Sequence, residues 1–234
     1  MQHLSSTRPL LCDELVDRKH ELQELNEAFG RAAIGKPQLV LLAGEAGLGK
    51  TKLCRAFLQM SGEQQAMVLF GLAIPQDQAL PFGPFLAAFH RYFTPVMKTL
   101  PDAHHSLPTP LSSLLQLFPE LASTFSGSIS PSFESNGRAM QGQQAVFHGI
   151  LHALQGLAHS GPGPLLLILE DLHWADETSL ELLAFLAQRF DVNATSTMST
   201  RPDQSTPLML LGTYRVDALP DNPALSRLLL QLHA

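Results

Sequence analysis

Eight consecutive residues, Gly44-Glu45-Ala46-Gly47-Leu48-Gly49-Lys50-Thr51, satisfy the pattern G-x-x-x-x-G-K-[ST] at every fixed position. The residue types suit a phosphate chain. Glycines let backbone N–H groups approach an anion closely and take the dihedrals that this requires. A helix starting near Gly49 adds free N–H groups and the positive end of its dipole. Lys50 carries a charge that can reach β- and γ-phosphates, and the Thr51 hydroxyl can ligate Mg²⁺. The bland alternative is a glycine-rich turn ahead of an ordinary helix. A full match flanked by a strand and a helix weighs against it.

A phosphate loop needs a carboxylate partner for its metal ion. The apolar run Leu165–Leu169 ends at Glu170-Asp171, placing acids at the C-terminal end of a strand, where open α/β sheets bind ligands. One acid can hold Mg²⁺ and the other can orient or deprotonate an attacking water. A solvated strand end would look the same in isolation; the phosphate loop shifts the balance. Arg215, closing the next apolar run, would face the same crevice and could contact a γ-phosphate, although it also fits an ordinary surface arginine. His173 and Trp174 follow the acids. We read them as structural, Trp174 packing the turn and His173 bonding locally. His104, His105, His148, His152 and His159 read as loop and helix-face residues. His148 and His152 have zinc-compatible spacing, but no third ligand is near in sequence.

These side chains need a framework. Residues 1–9 are polar and read as frayed. Leu22, Leu25, Phe29 and Ala32 predict a helix over about 18–33 with Asp17 as its cap. Leu39–Ala43 is the strand entering the phosphate loop and Thr51–Met60 the helix leaving it. Ala66–Gly71 is a second strand, Pro75–Pro84 a loop and Phe85–Phe93 a helix. Residues 94–137 read as an irregular insertion with short helical candidates at Pro110–Leu117 and Pro119–Phe125 and a mobile loop at Ser126–Gly137. Ala139–His159 is a long helix stopped by Gly161-Pro162-Gly163-Pro164. After the acid strand come a helix over Thr178–Phe190, a surface loop over 191–207, a buried strand Leu208–Leu211 and a final helix Asn222–Leu232.

Composition limits the options. The 234 residues are 45% hydrophobic and 15% charged, which favours a packed α/β core over disorder. A net charge of −6 argues against a broad nucleic-acid-binding face. Cys12 and Cys54 have no metal-ligand spacing and read as reduced thiols of a cytoplasmic protein. No apolar run approaches the roughly 20 residues needed to cross a bilayer, and the N-terminus lacks the apolar core of a signal peptide.

The stretch Leu165 to Asp176, followed by Glu177-Thr178-Ser179-Leu180-Glu181-Leu182-Leu183, closely resembles the acid-strand region of AAA-type ATPase modules of the STAND class. These origin-recognition-like modules occur in bacterial multidomain regulators, beside cyclase, kinase or helix-turn-helix domains. Leu210–Arg215 resembles the class's apolar strand with Thr-x-Arg. Leu15–Leu22 resembles its opening motif, with Asp17 where glycine is usual. The resemblance implies a three-layer P-loop NTPase with a parallel sheet of order 1-4-3-2, formed by residues 1–234 as a single domain. A fifth strand on the free side of the first would be missing by truncation, leaving Leu39–Ala43 an apolar edge and an association hazard. Lid and effector domains would be absent. It implies ATP and Mg²⁺ as ligands, with Val16 and Arg18 joining Gly44–Thr51 at the nucleotide. Thr51 and Glu170 would serve the metal, and Asp171, Glu170, Lys50 and Arg215 the chemistry. Many relatives place Asp before Glu; here Glu170 precedes Asp171, so the shorter Asp171 would reach the water poorly and hydrolysis would be slow.

The expected function is an ATP-binding, slowly hydrolysing switch module of a signalling or transcription-regulating protein, cytoplasmic, exchanging ATP for ADP and able to oligomerise with nucleotide. No direct nucleic-acid or membrane contact is expected of this domain. The alternatives are a small-molecule phosphotransferase or a nucleotide-binding module without turnover. The first usually needs an arginine-rich lid, and residues 94–137 hold no arginine, Arg138 lying just beyond. The intact Lys50, Thr51 and acid pair weigh against the second.

Overall fold

The computed structural model describes residues 18–63, 65–99, 114, 118, 141–195 and 206–232. Its elements are α1 (Lys19–Ala33), β1 (Gln38–Ala43), α2 (Lys50–Glu63), β2 (Met67–Leu72), α3 (Gly83–Thr99), α4 (Gln141–Ser160), β3 (Leu165–Glu170), α5 (Glu177–Thr195), β4 (Leu208–Tyr214) and α6 (Pro223–Leu232). The strands form one parallel sheet in the order β1-β4-β3-β2, the predicted 1-4-3-2 arrangement.

The sheet separates two helical layers because side chains alternate along each strand. Leu166 and Ile168 of β3 and Met209 and Leu211 of β4 pack with Leu25, Phe29, Leu53 and Phe57 of α1 and α2. The intervening residues Leu165, Leu167, Leu169, Leu208 and Leu210 pack against α3, α4, α5 and α6 through residues such as Phe85, Phe89, Leu154, Leu186 and Leu228. Every residue of β3 and β4 is buried, as continuous apolar runs covered on both faces require. Among the described strands β1 pairs only with β4, and most of its residues are half-buried. At β2, Gly71 permits a close approach: a Cβ there would lie 2.0 Å from the Pro84 carbonyl oxygen.

Four expectations need correction. Residues 94–99 are not insertion but the end of α3, which runs through Pro95. Proline costs about 3 kcal/mol inside a helix. Here buried Phe85, Phe89 and Phe93 anchor the helix ahead of it, and the Thr94 hydroxyl donates to the His90 carbonyl. Residues 191–195 continue α5 rather than opening a loop, because they include neither Gly nor Pro and an existing helix propagates cheaply. Thr206, expected on a surface loop, is buried, its carbonyl accepting the Leu208 N–H as β4 begins. β4 also outlasts its apolar run, pairing with β1 as far as Tyr214. The short helices and mobile loop predicted between residues 110 and 137 lie outside the described residues, apart from Leu114 and Phe118, both buried. Asp17, the expected cap, lies outside them too; Arg18 takes the N-cap position without a side-chain cap bond.

Candidate functional site

The site begins where β1 releases the chain. Gly47 and Gly49 have φ of 77° and 78°, a region that L side chains rarely adopt. A Cβ at either would meet nothing within 4 Å, so backbone conformation rather than space demands glycine there. α2 then starts at Lys50. The Lys50 ammonium donates to the Gly44 and Glu45 carbonyls at 2.7 and 2.8 Å, holding its charge over the loop. From the start of α1, Arg18 donates to the Leu48 carbonyl at 3.2 Å and pairs with Glu21.

Arg18, Ala46, Gly47, Leu48, Gly49, Lys50, Thr51, Lys52, Asp171 and Arg215 line one cavity of about 580 Å³. Most of the predicted residues therefore converge. Gly44 contributes through its carbonyl, the exposed Glu45 likewise, and Val16 lies outside the described residues. Arg215 forms an ion pair with Asp217 at 2.6 Å. Lys52 was not singled out from the sequence; its signal was only its place one residue beyond the motif.

The acids occupy two different environments. Glu170 ends the buried strand β3 and is 5% exposed. Thr51 Oγ1 donates to its Oε2 at 3.4 Å, while Oε1 is buried with no hydrogen-bond partner among the described residues. Burial raises its proton affinity above the usual carboxylate range and Asp171 adds to this, while Thr51 and Arg55 oppose it. A buried orphan carboxylate oxygen beside a threonine hydroxyl is the hard-oxygen donor set that a small divalent cation takes. Glu170 lines a neighbouring cavity with Arg55, Phe70 and Arg91 and reaches the phosphate loop through Thr51.

Asp171 turns out of the sheet with φ of 57°. Its N–H donates to Thr213 Oγ1 at 3.0 Å, which ties the end of β3 to β4. Its side chain is 41% exposed. Beyond Leu172 the expected arrangement is reversed: His173 is buried and its Nδ1 makes no hydrogen bond among the described residues, whereas Trp174 is 36% exposed. The predicted packing of Trp174 therefore falls to His173. His148 rests on Phe185, with ring centroids 5.0 Å apart.

The turn is held from distant segments. Asp176 accepts from the Phe82 and Gly83 N–H groups at 3.1 and 3.3 Å and from the Ser179 N–H at 2.8 Å, joining the starts of α3 and α5. Asn222 Nδ2 donates to the carbonyls of His173 and Ala175. Asp176 and Asn222 carry geometry that the motif reading did not assign to them. Asn222 had a signal, a cap residue before Pro223.

A glycine-rich loop between a parallel strand and a helix, with an acid-tipped strand separated from it in the sheet by one intervening strand, defines a P-loop nucleotide-binding domain. The model of the AAA ATPase domain family matches residues 14–209, and the chain belongs to that family. An uncharacterised protein of Rhizobium meliloti is 26% identical over 189 residues, which are 74% of this chain and 17% of that protein. The chain thus spans under a fifth of that relative's length. Among solved structures it is similar to Cdc6p from Pyrobaculum aerophilum, with 15% identity and a TM-score of 0.49 over 96% of this chain and 45% of that one. It is also similar to ORC2 from Aeropyrum pernix, solved as ADPNP–ADP complexes, with 13% identity and a TM-score of 0.45 over 94% of this chain and 47% of that one. No helix among the described residues is long and apolar enough to cross a membrane.

Proposed function

We propose that this domain binds ATP with Mg²⁺ and acts as a slowly hydrolysing switch module of a signal-transduction or transcription-regulating protein. The observation that carries the reading is the pairing of Glu170 with Thr51. A buried carboxylate with one unpartnered oxygen stands 3.4 Å from the hydroxyl at the start of the phosphate-loop helix. Membership of the AAA ATPase family supports the choice of nucleotide.

In this reading the loop N–H groups and Lys50 bind the β- and γ-phosphates, and Thr51 and Glu170 hold the metal ion. Bound there, Mg²⁺ would neutralise charge on the phosphate oxygens. Asp171 orients a water whose oxygen attacks the γ-phosphorus. The bond from that phosphorus to the β,γ-bridging oxygen breaks, ADP leaves, and the water proton passes to the Asp171 carboxylate and on to solvent. Arg215 offsets charge developing on the γ-phosphate. A conformational change that distinguishes ATP from ADP is what makes such a cycle a switch. Lid and effector regions outside this chain complete it; the Rhizobium meliloti relative, of which this chain spans 17%, is long enough to carry them.

The test is a calorimetric titration with ATP, with and without Mg²⁺, followed by single-turnover hydrolysis. Asp171→Asn is expected to lower turnover by about 10²–10⁴-fold while leaving the Kd for ATP within about three-fold. Loss of ATP binding in that variant, with unchanged turnover of whatever still binds, would reverse the roles assigned to the two acids. Absence of ATP binding by the wild type would overturn the reading.

A further inference from the structure

His173 is 3% exposed, and its Nδ1 is buried without a hydrogen-bond partner among the described residues. A buried polar side-chain atom left in that state is rare and costly. This one lies 4.0 Å from Asp171 Oδ1, the carboxylate that turns into the nucleotide cavity. The two partners differ in freedom. The imidazole rests against Trp174, with ring centroids 5.1 Å apart, and its own backbone carbonyl accepts from Asn222 Nδ2 at 3.1 Å. The turn around it is closed by Trp174 N–H donating to the Asp171 carbonyl at 2.8 Å. The Asp171 side chain, 41% exposed, can rotate. A displacement of about 1 Å brings its oxygen into hydrogen-bond range of Nδ1.

We propose that His173 is a positioning residue for Asp171: its Nδ1–H donates to the Asp171 carboxylate and fixes the oxygen that faces the attacking water. This rests on the role of Asp171 given under Proposed function. The device needs no charged imidazole. Burial holds the proton affinity of His173 below the ordinary histidine value, and Arg215 and Lys50 act in the same direction, while Asp171 and Asp217 pull against them. The ring is then neutral near pH 7, and a neighbouring carboxylate selects the tautomer whose proton sits on Nδ1. The Asp171 N–H donates to Thr213 Oγ1, which holds its backbone while the carboxylate stays free to turn. Beside it, His173 offers a buried ring nitrogen with no other hydrogen-bond partner among the described residues.

Two measurements on the full chain test this. Long-range ¹H–¹⁵N correlations report the tautomer of the His173 ring directly and need no turnover. The Nδ1–H form is expected in the wild type, giving way to Nε2–H in Asp171→Ala. An Nε2–H ring in the wild type, or a tautomer unchanged by Asp171→Ala, overturns the proposal. In single-turnover hydrolysis, His173→Phe is expected to slow the chemical step by about ten-fold or more, with the Kd for ATP within about three-fold. His173→Asn, which keeps an N–H near the Nδ1 position, is expected to restore most of that rate. Equal losses in both variants, or losses that follow the Kd, assign His173 a packing role only. If Asp171→Asn leaves turnover unchanged, the catalytic reading of Asp171 fails, while the tautomer experiment still decides whether His173 orients its carboxylate. If His173→Phe does not fold, the tautomer result decides alone.

Discussion

The phosphate loop and the acid turn face each other across one cavity, yet they are built in opposite ways. Gly44–Thr51 is largely exposed and shaped from within: two glycines at positive φ and a lysine bonded to carbonyls five and six residues earlier. Glu170–Asp176 is largely buried and shaped from outside. Thr51 reaches it across 119 residues of sequence, Thr213 across 42 and Asn222 across 49, while Asp176 bonds Phe82 across 94. A loop that presents N–H groups to a ligand needs little from its neighbours. A carboxylate that must sit buried, aimed and partly unsatisfied needs the whole fold to hold it there.

If that contrast is right, the acid turn should fail through stability and the loop through binding. The largest effect expected is Asp176→Ala, which leaves the Phe82, Gly83 and Ser179 N–H groups without their acceptor. Bonds to a buried carboxylate contribute about 1.5–3 kcal/mol each and are not additive, so a loss of roughly 3–5 kcal/mol is expected. Chemical denaturation measures it; a change below about 1 kcal/mol would show that the turn is held locally after all.

Lys50→Ala probes the other side. Among the described residues its ammonium bonds only within the loop, so stability should change little while ATP affinity falls about 10–100-fold, the equivalent of one or two charge-assisted bonds. Calorimetric titration beside a melting curve separates the two outcomes. A large drop in melting temperature would break the comparison.

The smallest effect has the opposite sign. Burial raises the proton affinity of Glu170 above its usual value near 4.5. A group whose carboxyl pKa is raised on folding contributes stability that is fully present below its unfolded value and lost as pH rises through the folded one. At neutral pH its charge therefore works against the fold. Glu170→Gln is expected to stabilise the protein by about 1 kcal/mol at pH 7 and to flatten the stability loss above about pH 4.5. It should also abolish the gain in ATP affinity that Mg²⁺ gives. A variant less stable than the wild type at pH 7 would mean that Thr51 and Arg55 compensate the buried charge more fully than this reading holds.

Much of this is legible in the amino-acid sequence. The phosphate loop is a local pattern, and its residue types state their own chemistry. The strands β1, β3 and β4 are built around continuous apolar runs, the pattern of a parallel sheet covered on both faces. Helix lengths were less legible. Pro95 and the polar residues after Phe190 looked like stops, but helices already anchored by buried phenylalanines continue past them. The exchange of places between His173 and Trp174 could not be read, because both rings suit a packed turn and only the path of the chain chooses between them.

The sequence by itself determined the phosphate loop, the acids at the tip of a buried strand and the expectation that they meet, because each follows from residue type and spacing over a few positions. Tertiary structure alone decided that Glu170 keeps one oxygen unsatisfied beside Thr51, that Asp171 leaves the sheet on a bond to Thr213, and that Asp176 joins two helix starts. The physical reason is range. Backbone conformation and hydrophobic periodicity are set by neighbours along the chain, whereas the burial and hydrogen bonding of a carboxylate depend on segments that meet only after the sheet has formed.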